Sequence, residues 1–328
     1  MSSFSEKLRQ SIIDLQHKRL LIAKISGSIQ EEDLKVPPNC KGYGRIRHFK
    51  QKSGSNWPSD PLPMDPACKA LKLPKTDIMQ AQVFQIAACD WRCWYCFVPY
   101  VLLSAKTESA AWLSSKELID LYLKELNPPS VIDLSGGSPN LVPEWILWTI
   151  QELISRKLEN KVYLWSDDNL SNDFFLKYLT EDQREIITSY KNYGHVCCFK
   201  GFSKESFSFN TKADPILFKE QFYFMKRLIP LGIDLYAYTT FTTPTKRNIY
   251  DDMKRFIDQL QELHENLPLR TIPLEIIEFT PVIRRLNEIR RKALKNQWIA
   301  VEIWSKELEE RFSSKERSKD ITEIVLGK

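Results

Sequence analysis

The sequence predicts an α/β fold: a partial (β/α)6 TIM-like barrel of parallel strands with N- and C-terminal extensions. Three observations lead there. From residue 80 onward, short apolar runs alternate with amphipathic stretches six times, at steps of roughly 30 to 50 residues, as repeated βα units require. Crossovers of that length force neighbouring strands to run parallel. Six units fall short of the eight that close a full barrel, so the sheet is expected to be curled and open, with the loops after the strands lining one rim.

The elements read in order as follows. Residues 1–33 carry Leu8, Ile12, Leu15 and Leu20 at helical spacing and predict one helix. Residues 34–78 are rich in Pro, Gly, Lys and Ser, as in Val36-Pro37-Pro38 and Lys52-Ser53-Gly54-Ser55, and predict a long irregular segment with Tyr43, Phe49 and Trp57 able to pack. Residues 82–88 form the first strand. Ser114 and Glu117 make a capping box that opens a helix to about residue 126. Residues 131–134 form a strand ending in Gly136-Gly137, and residues 143–157 a helix with Pro143 in its first turn. A strand at 161–165, a helix at 173–190 and a strand at 195–199 follow. Asp214-Pro215 starts a helix that Gly232 ends; a strand at 234–240, a helix at 248–263 and a last strand at 274–279 complete the pattern. Residues 284–328 are strongly charged and predict one or two helices on the outside, anchored by Trp298, Ile303 and Trp304. The expected organisation is residues 1–79, 80–283 and 284–328.

Composition narrows the class. With 43% hydrophobic and 27% charged residues, the 328-residue chain has the balance of an ordinary globular protein. Met1 to Gln10 has no apolar core and does not read as a secretory signal, and no run of 18 apolar residues suggests a membrane span. The expected compartment is therefore the cytoplasm, with no membrane partner. A reducing compartment disfavours disulfides, so the clustering of three of the seven cysteines at 89–96 points to metal or redox chemistry.

That cluster reads Cys89-Asp90-Trp91-Arg92-Cys93-Trp94-Tyr95-Cys96, a C-x3-C-x2-C spacing directly after the first strand. Three thiolates wrap one corner of a four-iron cluster and leave one iron open, where four would close it. An open coordination position is what separates catalytic from structural metal sites. The competing occupant is zinc, for which Cys40, Cys68 or His48 would have to supply a fourth ligand.

With Tyr95 at the position before the last cysteine, this motif resembles the signature of the radical S-adenosylmethionine (SAM) superfamily, and the resemblance extends over residues 83–281. It implies a single [4Fe-4S] cluster on Cys89, Cys93 and Cys96, with SAM chelated at the open iron. One electron then breaks a carbon–sulfur bond of SAM, and the resulting 5′-deoxyadenosyl radical takes hydrogen from a substrate. Ser135-Gly136-Gly137-Ser138-Pro139 is similar to the family's Gly-Gly-Glu-Pro loop, whose backbone receives the SAM amino group; Ser138 departs from it by standing in place of Glu. By the same resemblance Tyr95 packs on adenine, and Ser166, Asp168 and Lys200 contact the ribose or carboxylate of SAM. Helix capping by residues 166–169 and a solvated Lys200 are the plainer readings of those positions. Phe279-Thr280-Pro281 stands where relatives place backbone against adenine. The family also implies a low-potential electron donor, ferredoxin or flavodoxin.

Cys197 and Cys198 are adjacent in a strand and must point to opposite faces, so one of them faces the barrel interior. Residues 34–75 hold nine Lys or Arg against Asp60 and Asp65, a surplus above the +5 of the whole chain. This segment reads as a solvated loop first, as a lid over the barrel mouth or an anion site second, and tilts the expected substrate towards an anionic, phosphate-bearing one. The alternative function is a zinc- or cluster-stabilised module that holds nucleic acid through the same segment.

Overall fold

The computed structural model describes residues 3–53 and 56–327; Gly54 and Ser55 of the Lys52–Ser55 run lie outside the described residues, as do Met1 and Ser2. Its strands are β1 (Ile13–Asp14), β2 (Arg19–Ala23), β3 (Gly44–Lys50), β4 (Ile78–Phe84), β5 (Ala110–Ser114), β6 (Val131–Leu134), β7 (Tyr163–Asp168), β8 (Tyr193–Phe199), β9 (Leu235–Thr240) and β10 (Thr271–Leu274). The main sheet runs β10-β9-β8-β7-β6-β4-β3. The six strands from β4 to β10 in it are parallel, and β3 joins the β4 edge antiparallel. This is the expected curled half-barrel with one strand more than the sequence suggested.

The helices are α1 (Ser3–Ile12), α2 (Met64–Leu71), α3 (Ser115–Leu123), α4 (Glu144–Ser155), α5 (Phe174–Tyr178), α6 (Glu181–Ser189), α7 (Lys204–Thr211), α8 (Phe218–Leu228), α9 (Ile249–Leu263), α10 (Thr280–Ile283), α11 (Glu288–Arg311) and α12 (Ser314–Arg317). Several begin where the chain offers a cap. Ser114, Thr180, Ser203 and Ser313 each accept a hydrogen bond from the third residue of the helix they open. The cap at Thr180 splits the single helix expected at 173–190 into α5 and α6. Among the described residues no helix is long and apolar enough to cross a membrane.

Alternation along the strands sorts side chains to two faces. Ile132, Leu134, Leu164, Cys197 and Ala237 face the helices and belong to the main core, with Ile146, Ile150, Met225, Phe256 and Ile257. Val131, Tyr163, Trp165, Val196, Tyr236 and Tyr238 face the concave side and make a second core with Met64, Ala67 and Cys68 of α2. Gly194 belongs to this packing, since a Cβ there would stand 2.2 Å from the Tyr163 hydroxyl and 2.6 Å from the Trp165 ring.

Three sequence expectations are corrected. Residues 13–23 are a hairpin, and β2 pairs with β5 in a separate three-stranded antiparallel sheet, so the single N-terminal helix stops at Ile12. Residues 34–75 are neither a solvated loop nor a lid over the mouth. They supply β3, cross the concave face where Tyr238 donates to Asp60 and Trp57 donates to the Pro273 carbonyl, and end in α2 under the starts of β6 and β7. The last strand lies at 271–274, earlier than expected; it contains Pro273, which an edge strand tolerates because one row of its amides needs no partner. The charged C-terminal stretch does form an outer helix, α11, whose Trp304 packs on Phe241 and Phe256 while Trp298 meets Trp57 edge-on at 5.1 Å.

On the concave face, register sets Arg45 opposite Val83, and Val83 opposite Asp133. Arg47 Nη1 reaches Asp133 Oδ2 at 3.3 Å across that row. Asp133 is fully buried, and burial, reinforced by the charge of Asp167, pushes its pKa up to about 7. An unfolded aspartate titrates near 4, so the folded state binds this proton more tightly and loses that advantage as pH rises. Wild-type stability is therefore expected to fall relative to Asp133→Asn by roughly 1 kcal/mol per pH unit between about pH 5 and pH 7, then level off. Denaturant titrations at several pH values check this; a difference that does not vary with pH would mean that Arg47 keeps Asp133 ionised.

A second expectation concerns α1. Arg9 bonds both Glu144 oxygens and the Leu141 carbonyl, lies 3.7 Å over the Tyr178 ring, and is 3% exposed. Arg9→Ala leaves Glu144 buried and unpaired and should cost about 3–5 kcal/mol in chemical denaturation. A loss below about 1 kcal/mol would mean that α1 undocks and lets water reach Glu144.

Candidate functional site

After β4 the chain bridges to β2 at Ile86 and to Ser104 at Ala88. The loop of residues 89–99 that follows has no strand or helix ladder of its own, so its polar groups must be satisfied from elsewhere. Side chains do this. Arg92 donates to the Cys89, Trp91 and Leu103 carbonyls. The Tyr100 hydroxyl lies 3.0 and 2.9 Å from the Arg92 and Cys93 carbonyls. Arg285, stacked 3.9 Å over the Tyr100 ring, donates to the Cys96 carbonyl at 2.6 Å and to Val98 at 3.0 Å. Asn210 holds the other flank. Its carbonyl accepts from the Trp94 amide, its Oδ1 from the Trp94 indole at 3.2 Å and from Thr242, and its Nδ2 donates to the Lys200 and Thr242 carbonyls.

Cys89 and Cys93 are buried and Cys96 is half-buried. Burial pushes all three thiols up, Cys93 to about 11, against the opposing pull of Lys200; Arg285, Lys200 and Arg92 act the same way on Cys96. Left to themselves these thiols keep their protons at neutral pH and make poor nucleophiles. A soft metal displaces the proton instead, and the three nearby cations offset the charge of the thiolates so formed. The donor set thus fits an iron–sulfur cluster. Among the described residues no three His, Cys, Asp or Glu side chains group as ligands of a single ion. Thiolates on a cluster bind different irons, and so stand further apart than the ~3.8 Å that separates two on one tetrahedral zinc. The fourth ligands considered for zinc stand elsewhere: the Cys40 amide is held by Glu125, Cys68 donates to the Pro74 carbonyl from α2, and His48 pairs with Gln80.

The Gly-Gly turn after β6 lies against this loop. Gly136 and Gly137 have φ of +93° and +76°, and a Cβ would stand 2.7 Å from the Gln85 side chain or 2.4 Å from the Ala88 carbonyl. Glycine here lets the turn approach the cysteine loop. Ser138, the departure from the family loop, is fully buried, with its hydroxyl 2.6 Å from Asp90 Oδ1 and 3.2 Å from Cys89 Sγ; Asn169 Nδ2 donates to it at 2.7 Å. The structure therefore brings Gly136, Gly137 and Ser138 together with the three cysteines. Tyr95 joins them, its hydroxyl 3.3 Å from Thr240 Oγ1. Phe279 joins through an edge-on contact with Phe97 at 4.7 Å.

Ser166 and Asp168 are not brought there. The sequence reading ended the third barrel strand at residue 165 and placed them in the rim loop, but β7 continues through Asp168. Inside a strand they alternate with Asp167 and face the helices. Both are buried: Ser166 Oγ sits 2.8 Å from His195 Nδ1 and from the Tyr193 hydroxyl, Asp168 Oδ1 accepts from the Leu170 amide, and Asp168 Oδ2 lies 3.4 Å from His195 Nε2. Asp167 takes the concave position instead and accepts from Ser135 at 2.6 Å.

Burial along the strands shows where solvent enters. On β7 only Asp167, and on β8 only Cys198, is less than fully buried. Lys200, two residues beyond, shares that face; the thiolates of Cys198, Cys93 and Cys89 once they form, and Asp167, outweigh its desolvation and raise its pKa. Of the cysteine pair, Cys198 is the inward one. Asn210, Tyr100 and Arg285 were missed as site residues, whereas Asn169 belongs to the 166–169 run that the sequence placed at the rim. The three missed residues act through backbone or from distant elements, and no local pattern signalled them.

Solved structures partly similar to this chain include two of low identity. One is the crystal structure of Streptococcus suis SuiB bound to precursor peptide SuiA, with 14% identity over 55% of this chain and 36% of that one, at TM-score 0.38. The other is TsrM from Kitasatospora setae, a radical S-adenosylmethionine methyltransferase with cobalamin and a [4Fe-4S] cluster bound, with 15% identity over 60% of this chain and 37% of that one, at TM-score 0.40. The chain spans little more than a third of the length of either. No protein-family model matches it, and no curated protein is similar to it.

Proposed function

We propose that the chain is a radical SAM enzyme in which Cys89, Cys93 and Cys96 hold one [4Fe-4S] cluster and residues 80–283 carry the chemistry. One observation supports this above the others: three cysteines sit on a single side-chain-clamped loop at the C-terminal rim of a parallel half-barrel, against the Gly136-Gly137 turn and facing Lys200. When bound, such a cluster supplies one electron to SAM and yields methionine and a 5′-deoxyadenosyl radical. The chain's own part is to bind, orient and shield. Arg92, Arg285 and Tyr100 fix the loop backbone, Ser138 and Asn169 surround Cys89, and Trp94 covers one side, fully buried against Asn210. Tyr95 and the turn at Gly136 form the wall for the SAM adenosyl and amino groups, and Lys200 meets its carboxylate. A low-potential ferredoxin or flavodoxin supplies electrons.

Anaerobic reconstitution tests this. The wild type should bind about four irons and form 5′-deoxyadenosine from SAM on reduction, and Cys89→Ala, Cys93→Ala and Cys96→Ala should each lose both. A colourless zinc protein whose RNA affinity falls steeply with salt would replace the reading with the nucleic-acid module.

Asn210→Leu isolates the clamp. It leaves the buried Trp94 indole and two carbonyls without partners and should cost about 2–4 kcal/mol, with reduced iron content at unchanged cysteine count. Full iron loading in this variant would mean that the bound cluster, and not Asn210, orders the loop.

A further inference from the structure

Three arginines are buried: Arg9, Arg45 and Arg270. Arg9 is held by Glu144 and the Leu141 carbonyl, and Arg270 by Asp234 and the Leu235 carbonyl. Arg45 differs. At 7% exposure its guanidinium makes no hydrogen bond and has no carboxylate within ion-pair distance, and its Nε is fully enclosed without a partner. Its guanidinium lies 5.1 Å from the ring of Phe97, the residue directly after Cys96. Burial lowers its pKa only to about 10, so the group stays charged at neutral pH. A buried guanidinium without a direct hydrogen-bonding partner is costly to the fold. Asp133 and Asp167, both beyond ion-pair distance, and the Phe97 ring offset that cost only in part.

The surroundings are also incomplete. On the same face of the sheet Gln85 follows two residues after Val83, the partner of Arg45, a diagonal that brings side chains of adjacent strands within reach. Gln30 donates to Gln85 Oε1 at 3.2 Å, while Gln85 Nε2 and Gln30 Oε1 are buried without partners. The Gln85 side chain lies against Gly136. A fork of guanidinium donors and a free amide donor thus stand between the cysteine loop and the Gly-Gly turn, on the face that solvent reaches at Asp167 and Cys198. Planar donors in this arrangement match an oxyanion.

We infer that Arg45, assisted by Gln85, is the docking point for an oxyanion of the substrate, a phosphate or a carboxylate, held beside Phe97. Calling the ligand the substrate rests on the proposed function; the anion site itself does not. Arg47 is occupied by Asp133 and leaves this role to Arg45.

The test uses the full chain, with sodium phosphate and sodium acetate as probes against sodium chloride at equal ionic strength, read by thermal unfolding and by equilibrium dialysis. Phosphate or acetate should raise the wild-type midpoint beyond chloride, and the stronger of the two names the oxyanion. Arg45→Met should unfold at or above the wild-type temperature without probe, because it removes a buried charge that has no direct hydrogen-bonding partner, and should bind the probe about tenfold more weakly or worse. Arg45→Lys keeps the charge without the fork and should fall between them. A destabilised or unfolded Arg45→Met would assign Arg45 to the fold and overturn the inference, as would a wild type that responds to neither anion. In cluster-loaded wild type, saturating SAM should leave the anion response in place; its loss would hand the site to the SAM carboxylate and overturn the substrate assignment. Anion binding through Arg45 in a protein that never cleaves SAM would leave the site standing and overturn the proposed function instead.

Discussion

Period-two alternation across the parallel strands is the constraint on which the rest of the molecule depends. Each parallel strand of the main sheet commits alternate side chains to a helix-covered face or a concave face, and the two faces differ in chemistry. Outward positions are apolar or bonded among themselves, as Ser166 is to the Tyr193 hydroxyl and His195 Nδ1. Inward positions near the strand starts are aromatic and covered by α2; inward positions near the strand ends are Asp133, Asp167, Cys198 and Lys200. The barrel is packed below and polar above, so the place for chemistry is set before any loop is considered.

The cysteine loop shows how irregular backbone is held at that rim. A loop without its own hydrogen-bond ladder keeps one shape only if other groups meet its amides and carbonyls. Arg92, Tyr100, Arg285 and Asn210 do so from the loop itself, the stretch after it, the segment after α10, and α7. Elements far apart in sequence thereby converge on eight residues. Three of the groups are cationic or hydroxylic, which suits a loop meant to carry thiolate charge.

The N-terminal quarter of the chain is where local reading fell short. Its Pro, Gly and Lys content resembles a loop, yet it adds β3 to the sheet, fills the lower concave face and supplies Arg45 and Arg47. Strands at an edge need little intrinsic β propensity when a neighbour such as β4 is already in place. The basic surplus that pointed to an anion was legible; that Arg47 bonds Asp133 while the Arg45 guanidinium has no direct partner was not.

By itself the sequence determined the parallel half-barrel, because period-two and period-3.6 patterns are local and the crossovers allow little else. It also determined the three cysteines, because their spacing is fixed by covalent chain length. Only the tertiary structure decided which face each rim residue serves. One strand, β7, runs three residues further than its apolar run, and that extension turns Ser166 and Asp168 towards the helices and Asp167 towards the site. Strand ends are set by pairing with neighbours, here β7 Asp168 with β8 Cys197, and pairing is a long-range contact that no local pattern records.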